Sequence, residues 1–303
     1  MNDAHRRGVA LMVSATLCWS LSGILVRNVS VANPWEIVFW RSAFMTLFML
    51  LVLARWHGRE APAKVLAVGR AGVLSGALLA AMFFFFILSL MRTTVANTMV
   101  LTSVAPLFVA LFGWWLLRER VALRTWAAMA AAFAGMALMF VDGLAGGEAA
   151  GNLLALGVPI AFGLNVSVLR RMHASVDMVP AVLIAGVISS TIALPIAWPL
   201  VATPQDLVYL SALGFVQLGL GCLLMTLATR TLAAAEIGLY SLLENVAAPV
   251  WVWIGIGERP DALALAGGAV VIGSIAVDQW LALRASRSAT PGSYQSTSSR
   301  GTT

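Results

Sequence analysis

The sequence predicts an all-α integral membrane protein, with ten transmembrane helices arranged as two inverted five-helix repeats and both termini cytoplasmic. Three observations carry the prediction. Of 303 residues, 60% are hydrophobic and only 11% charged, against roughly a quarter charged in a soluble domain. Ten apolar runs are separated by charged or turn-forming breaks, each close to the ~20 residues a helix needs to cross ~30 Å of hydrocarbon. Two stretches of the first half recur, in the same order, in the second half.

In chain order the runs are 8–29 (α1), 34–54 (α2), 69–91 (α3), 94–117 (α4), 122–141 (α5), 152–170 (α6), 179–201 (α7), 206–229 (α8), 234–257 (α9) and 261–283 (α10). Backbone groups in lipid must be satisfied internally, and continuous apolar runs lack the alternation of a membrane β-strand, so each run is a helix. The first follows Arg6-Arg7 but is too long for a signal peptide and lacks an A-x-A-like cleavage site, so it reads as a retained helix. Little remains for a soluble domain. Residues 1–7 form a cytoplasmic N-terminus, 8–143 the first repeat, 144–151 a periplasmic linker and 152–284 the second repeat. Residues 285–303, rich in Ser and Thr without apolar periodicity, read as a disordered cytoplasmic tail.

Charge fixes the orientation. With the N-terminus inside, fifteen of the nineteen Lys and Arg residues fall on the cytoplasmic side, only Arg27, Arg92 and Arg259 face out, and Arg41 lies within α2. That is a strong positive-inside bias with a single orientation. It accounts for the net charge of +6 without nucleic acid as a partner; the partner it implies is the lipid bilayer. Cys18 and Cys222 both sit within spans and read as small buried residues, not as a disulfide.

The repeat emerges from self-comparison. TSVAPLFVALFGWWLLRER, from Thr102 to Arg120, lies without gaps over SLLENVAAPVWVWIGIGER, from Ser241 to Arg259. LCWSLSGILVR, ending at Arg27, lies over IAFGLNVSVLR, ending at Arg170. The offsets, 139 and 143, differ by four residues. Two halves of five helices follow, joined near GLAGGEAAG, and an odd number makes the second enter the membrane from the opposite side. Inverted repeats of this kind place a substrate site near the midplane and alternate its access by rocking.

The W-S-L-S-G-I pattern of α1, the VFWRSAF of early α2 and the proline-containing α4 ending in Glu-Arg resemble the drug/metabolite transporter superfamily, EamA type, from about residue 8 to 283. Within it the chain looks most like the bacterial aromatic amino-acid exporters. The resemblance implies an inner-membrane exporter whose cavity is lined by α1, α3, α4, α6, α8 and α9, with α5 and α10 peripheral. The chain departs from the family in α9, where Glu and Pro are often adjacent; here Asn245 follows Glu244 and the proline arrives at Pro249.

Polar residues inside the spans are the candidate site. On α9, Glu236, Tyr240 and Glu244 share one face at i, i+4 and i+8, with Ser241 and Asn245 beside it. An acid at mid-bilayer costs roughly 2.5–3.5 kcal/mol and turns toward a cavity or partner. Glu244 has three open readings: a proton-coupling acid, a counter-charge for a substrate ammonium, or a structural acid paired with Arg41 or nearby hydroxyls. Pro249 frees the carbonyl of Asn245, and Pro106 that of Thr102 in a helix whose Thr94, Thr98 and Thr102 share a face; the alternative is an ordinary kink. Ser14, Cys18 and Ser22 share a face of α1 beside Trp19, while α6 offers Asn165 and α8 Gln217; hydroxyls in such helices also serve packing. Met82, Phe83 and Phe86 lie in the MFFFFILSLM of α3, to stack on a substrate or simply to pack. Gly219 and Gly221 of α8 allow close packing or bending, as does Gly72-x-x-x-Gly76 of α3. Arg41 either anchors a carboxylate or Glu244, or snorkels to the outer interface beside Trp35 and Trp40. Glu119 and Glu258 read as end-capping acids next to arginines, and Asp278 as a cytoplasmic interface residue.

A secondary transporter of a small molecule is the expected class, with aromatic and other apolar amino acids as substrates on the strength of the resemblance. No enzyme is expected: His5, His57 and His173 fall in terminal or loop positions, Lys64 is in a loop, and no H-E-x-x-H, G-x-S-x-G or Walker A motif occurs. No cofactor or metal is expected, and one monomer is expected to suffice. A channel is the less favoured alternative.

Overall fold

In the computed structural model, residues 3–145, 148–172, 178–232, 234–259 and 262–288 are described. They form ten long helical spans: α1 Asp3–Arg27, α2 Pro34–His57, α3 Gly69–Leu90, α4 Val95–Leu117, α5 Leu123–Ala145, α6 Ala149–Arg171, α7 Met178–Ala197, α8 Pro204–Ala228, α9 Ala234–Ile256 and α10 Ala262–Ser288. The boundaries follow local chemistry. Pro34 opens α2 at a position where its missing N–H costs nothing, and the Asn33 side chain accepts from Trp35 N at 3.0 Å. Thr203 and Asp206 form a reciprocal capping box at the start of α8.

Besides an α1 that already starts at Asp3 and an α6 that starts at Ala149, inside the expected terminus and linker, four features differ from the sequence reading. Helix α7 ends at Ala197 and not at 201, because Pro199 disfavours helical backbone at Trp198. Helix α10 runs on to Ser288, four residues into the expected tail; residues 289–303 lie outside those described. A short helix, Ala61–Ala67, occupies the α2–α3 connection. The two prolines act unequally: α4 breaks at Val104, just before Pro106, whereas α9 continues as one helix through Pro249.

The packing obeys the inverted repeat. Helix α2 packs on α7 and α5 on α10, so each of these pairs joins equivalent helices of the two halves. Three of the largest remaining contacts have mirrors: α3 on α6 with α8 on α1, α4 on α6 with α9 on α1, and α3 on α7 with α8 on α2. Individual positions exchange as well. Gly163 of α6 is crowded by Phe108 and Phe112 of α4; Ser20, its equivalent in α1, accepts a 3.0 Å hydrogen bond from the indole of Trp251, the equivalent of Phe112. The α5–α10 pair closes tightly at Gly135, where an added Cβ would come 2.7 Å from the carbonyl oxygen of Gly267.

Candidate functional site

Two features stand out among the polar residues: a charged cluster in the bundle interior, and a pair of ion pairs at its two ends.

The cluster is built on α2, α3 and α8. Arg41 is 3% exposed, so it does not snorkel. The correction has a local cause. Phe83 and Phe86 of α3 present ring faces 5.4 and 5.5 Å from its guanidinium carbon, and its Nε donates to Gln217 Oε1 at 3.2 Å. These contacts hold the group inside where a route to the interface would forfeit them. Gln217 lies on a π-helical stretch of α8, Leu213–Leu220, a geometry that frequently accompanies functional sites. Glu244, partly buried on α9, makes no direct ion pair with Arg41. Arg41 Nη1 is buried without a hydrogen-bond partner.

Several further candidates are packed in the interior. Trp19 packs over Gly221, where any Cβ would collide with the indole, and Tyr240 joins Trp19, Met12 and Met225 in one apolar cluster. Cys222 packs against the α2–α3–α7 core. Gly214 lets α8 approach the backbone of α2 at Arg41, and Gly219 lies against the ring of Phe48. Of the four phenylalanines, only Phe83 and Phe86 reach Arg41; Phe84 packs on Trp35 and Phe85 against Gly157.

Other candidates are held elsewhere. Thr98 is fully buried and bonds Ser89 of α3 at 2.9 Å, and Thr102 bonds back to its own helix at Met99 O. Ser22 and Asn165, equated by the repeat, are both buried, and each has one oxygen without a partner. Met82 packs against the α2–α3–α7 core, Ser241 is half-buried and Asn245 is buried on α9. Pro106 sits at the start of the second part of α4, just after the break at Val104.

The end pairs were hidden by reading each acid with its neighbouring arginine. Glu258 does not cap with Arg259; it takes a 2.8 Å hydrogen bond from Arg27 Nε, and its other oxygen accepts from Val95 N at 2.8 Å. Arg27 also donates to the carbonyls of Leu90 and Thr93, each at 2.8 Å. Glu119 likewise pairs with Arg170, at 2.9 Å, and not with Arg118 or Arg120. The self-comparison equates Arg27 with Arg170 and Glu258 with Glu119, so the two bridges are repeat mates that swap halves. They differ in setting: the side chains are 24% and 22% exposed in the first pair but 53% and 45% in the second. An open groove of about 560 Å³ borders Glu119, Trp114 and Trp126 at the second. Asp278 is not a free interface residue either: 6% exposed, it accepts from Thr125 at 2.9 Å and faces Arg124, tying α10 to α5.

Inverted five-helix repeats, with mirrored packing and ionisable groups gathered in their interior, define a multi-pass membrane transporter. The sequence comparisons make this specific. Residues 6–141 and 149–277 each match the EamA-like transporter family, and the chain belongs to that family. It is thus a secondary transporter of a small metabolite and not an enzyme, with the architecture of a bacterial inner-membrane protein. The curated relatives it resembles are not aromatic amino-acid exporters: the pseudopaline exporter CntI of Pseudomonas aeruginosa, in strains UCBPP-PA14 and PAO1, is 28% identical over 283 residues, covering 89% of this chain and 95% of the relative. A solved crystal structure, 18% identical, covers 92% of this chain and 98% of its own with a TM-score of 0.62, which supports the fold.

Proposed function

We propose that the protein exports a small amphipathic metabolite from the cytoplasm by alternating access, with Arg27–Glu258 latching the outer end and Arg170–Glu119 the cytoplasmic end. The observation that carries this reading is the exchange of partners between equivalent residues of the two halves. Rocking one repeat against the other would break one bridge while its mate stays closed. Both bridges are made in the conformation described, and the outer one is the braced one, with backbone carbonyls and an amide added to the ion pair.

Export as the direction is supported by the pseudopaline exporters the chain resembles, and the positive-inside charge distribution supports cytoplasmic termini. The substrate carries an apolar or aromatic portion, for which Trp19, Phe83, Phe86 and Tyr240 provide surface; aromatic amino acids are one such class and pseudopaline another candidate. Repeats of 8–143 and 152–284 within one chain contribute the whole cluster, so a monomer suffices.

The test is counterflow. Proteoliposomes preloaded with unlabelled solute should accumulate the labelled form of the transported member of a panel containing aromatic amino acids and pseudopaline, saturably. Non-saturable flux without counterflow would mean a channel and end the proposal. An imposed pH gradient distinguishes uniport from proton coupling; normal transport by Glu244→Gln with no gradient stimulation would remove a proton-coupling role for Glu244.

A further inference from the structure

Helices α4 and α9 stop in the same way on different residues. At the offset of 139, Arg118 lies over Gly257, and both take left-handed backbone, with φ of 56° and 76°. Glycine is the usual occupant of such a helix end, because a Cβ there crowds the neighbouring carbonyl. Arg118 is the one non-glycine residue with positive φ among those described. The first half thus accepts strain where its mate avoids it, and strain that persists points to a use for the side chain.

The surroundings of Arg118 supply one. It borders the open groove of about 560 Å³, together with Arg120, Trp114, Trp115 and Trp126 beside Glu119. Glu119 is taken by Arg170 at 2.9 Å, and among the described residues neither Arg118 nor Arg120 has an acidic partner. Trp114 and Trp126 meet edge to face, with centroids 5.3 Å apart, and Trp115 is 66% exposed. This is the end that the positive-inside charge distribution assigns to the cytoplasm. At the equivalent outer positions, Gly257, Arg259 and Leu265 stand in place of Arg118, Arg120 and Trp126. One guanidinium remains there, and it lies 5.9 Å from the ring of Trp253. The second cation and the added indole therefore belong to the inner end alone.

We infer that this groove is a headgroup site for an anionic phospholipid of the cytoplasmic leaflet. Arg118 and Arg120 take the phosphate, since guanidinium forks match phosphate oxygens. Trp114, Trp115 and Trp126 pack along the glycerol and the start of the chains, at the depth where indoles settle in a bilayer. The bound lipid joins α4 to α5 across their turn, beside the inner Glu119–Arg170 bridge.

The experiment titrates purified full-length protein in detergent with dioleoyl phosphatidylglycerol, dioleoyl phosphatidylcholine or chainless glycerol phosphate, and records Tm and native mass spectra. Phosphatidylglycerol should raise Tm at a concentration at least tenfold below that needed for phosphatidylcholine, with a lipid retained in the spectrum; glycerol phosphate should do neither. Arg118→Gly, which relieves the strain, should keep the fold and weaken the phosphatidylglycerol response at least fivefold, and Arg120→Gln should weaken it likewise. Lys64→Gln removes an equal charge from the exposed α2–α3 connection, and Arg259→Gln removes the outer counterpart; both should leave the response unchanged. Should Arg118→Gly fail to fold, Arg120→Gln carries the comparison. Equal responses to the two lipids, or no retained lipid, overturns the site. So does an equal loss in Lys64→Gln and the groove variants, the mark of diffuse attraction, or a response to glycerol phosphate that matches the lipid's, the mark of a free-phosphate site.

Discussion

Glu258→Gln should unbalance the transporter, and the structure sets the size of the effect. The substitution keeps an acceptor for Val95 N but sets its amide NH2, a donor, opposite Arg27 Nε, so the 2.8 Å charge-assisted bond is lost. Both side chains are less than a quarter exposed, so solvent screens the pair only in part. Hydrogen bonds to charged groups are worth about 1.5–3 kcal/mol. The outer-closed state therefore loses about 1.5–3 kcal/mol, which at about tenfold per 1.4 kcal/mol is a roughly 10- to 150-fold shift toward the outer-open state. The mate, Glu119→Gln, removes a pair about half exposed on both sides, where the contribution is only about 0–1 kcal/mol, and it should shift the equilibrium the other way by less than about fivefold. Spin labels at Asn28→Cys and Arg259→Cys, both exposed beside the outer latch, in a background with Cys18 and Cys222 replaced by Ser, report the two populations as a distance distribution. Unchanged populations in Glu258→Gln, or equal shifts in the same direction from both variants, would refute the latch argument.

Three further outcomes concern the frame that holds the site. Asp206→Asn, at a 2% exposed residue that accepts from the backbone and hydroxyls of both Ser30 and Thr203, should cost about 1.5–3 kcal/mol of stability, read as a lowered Tm in detergent; a Tm equal to wild type counts against it. Gly214→Ala should destabilise by about 1–3 kcal/mol through overpacking, because its Cβ would meet the backbone of Arg41 and Met45 at 2.7 and 2.8 Å, and neither can step aside; a wild-type melting curve would show that α2 and α8 are looser than described. Ser20→Ala should cost about 1 kcal/mol by leaving the Trp251 indole N–H without its acceptor, visible as a small drop in Tm with counterflow retained, and a rise in Tm would contradict the bond.

The sequence by itself determined the ten spans, their order and their inverted repetition, because each rests on a local requirement: enough apolar length to cross hydrocarbon, and equivalent residues recurring at offsets of 139 and 143. It also marked Arg41, Gln217 and Glu244 as costly in lipid, which any polar side chain announces wherever it sits in an apolar run. What the sequence left open was partnership. Whether Arg41 turns out to the interface or in toward Phe83, Phe86 and Gln217 depends on which helices lie beside α2, and those are far along the chain. The end acids show the same limit: Glu119 and Glu258 each sit next to an arginine in sequence, yet both pair with an arginine of the opposite repeat. A helix end points its side chains by rotation about its axis and by what packs against it, so adjacency in sequence could not choose the partner. Only the tertiary structure brought the two halves together and turned a repeated Arg and a repeated Glu into two opposed bridges.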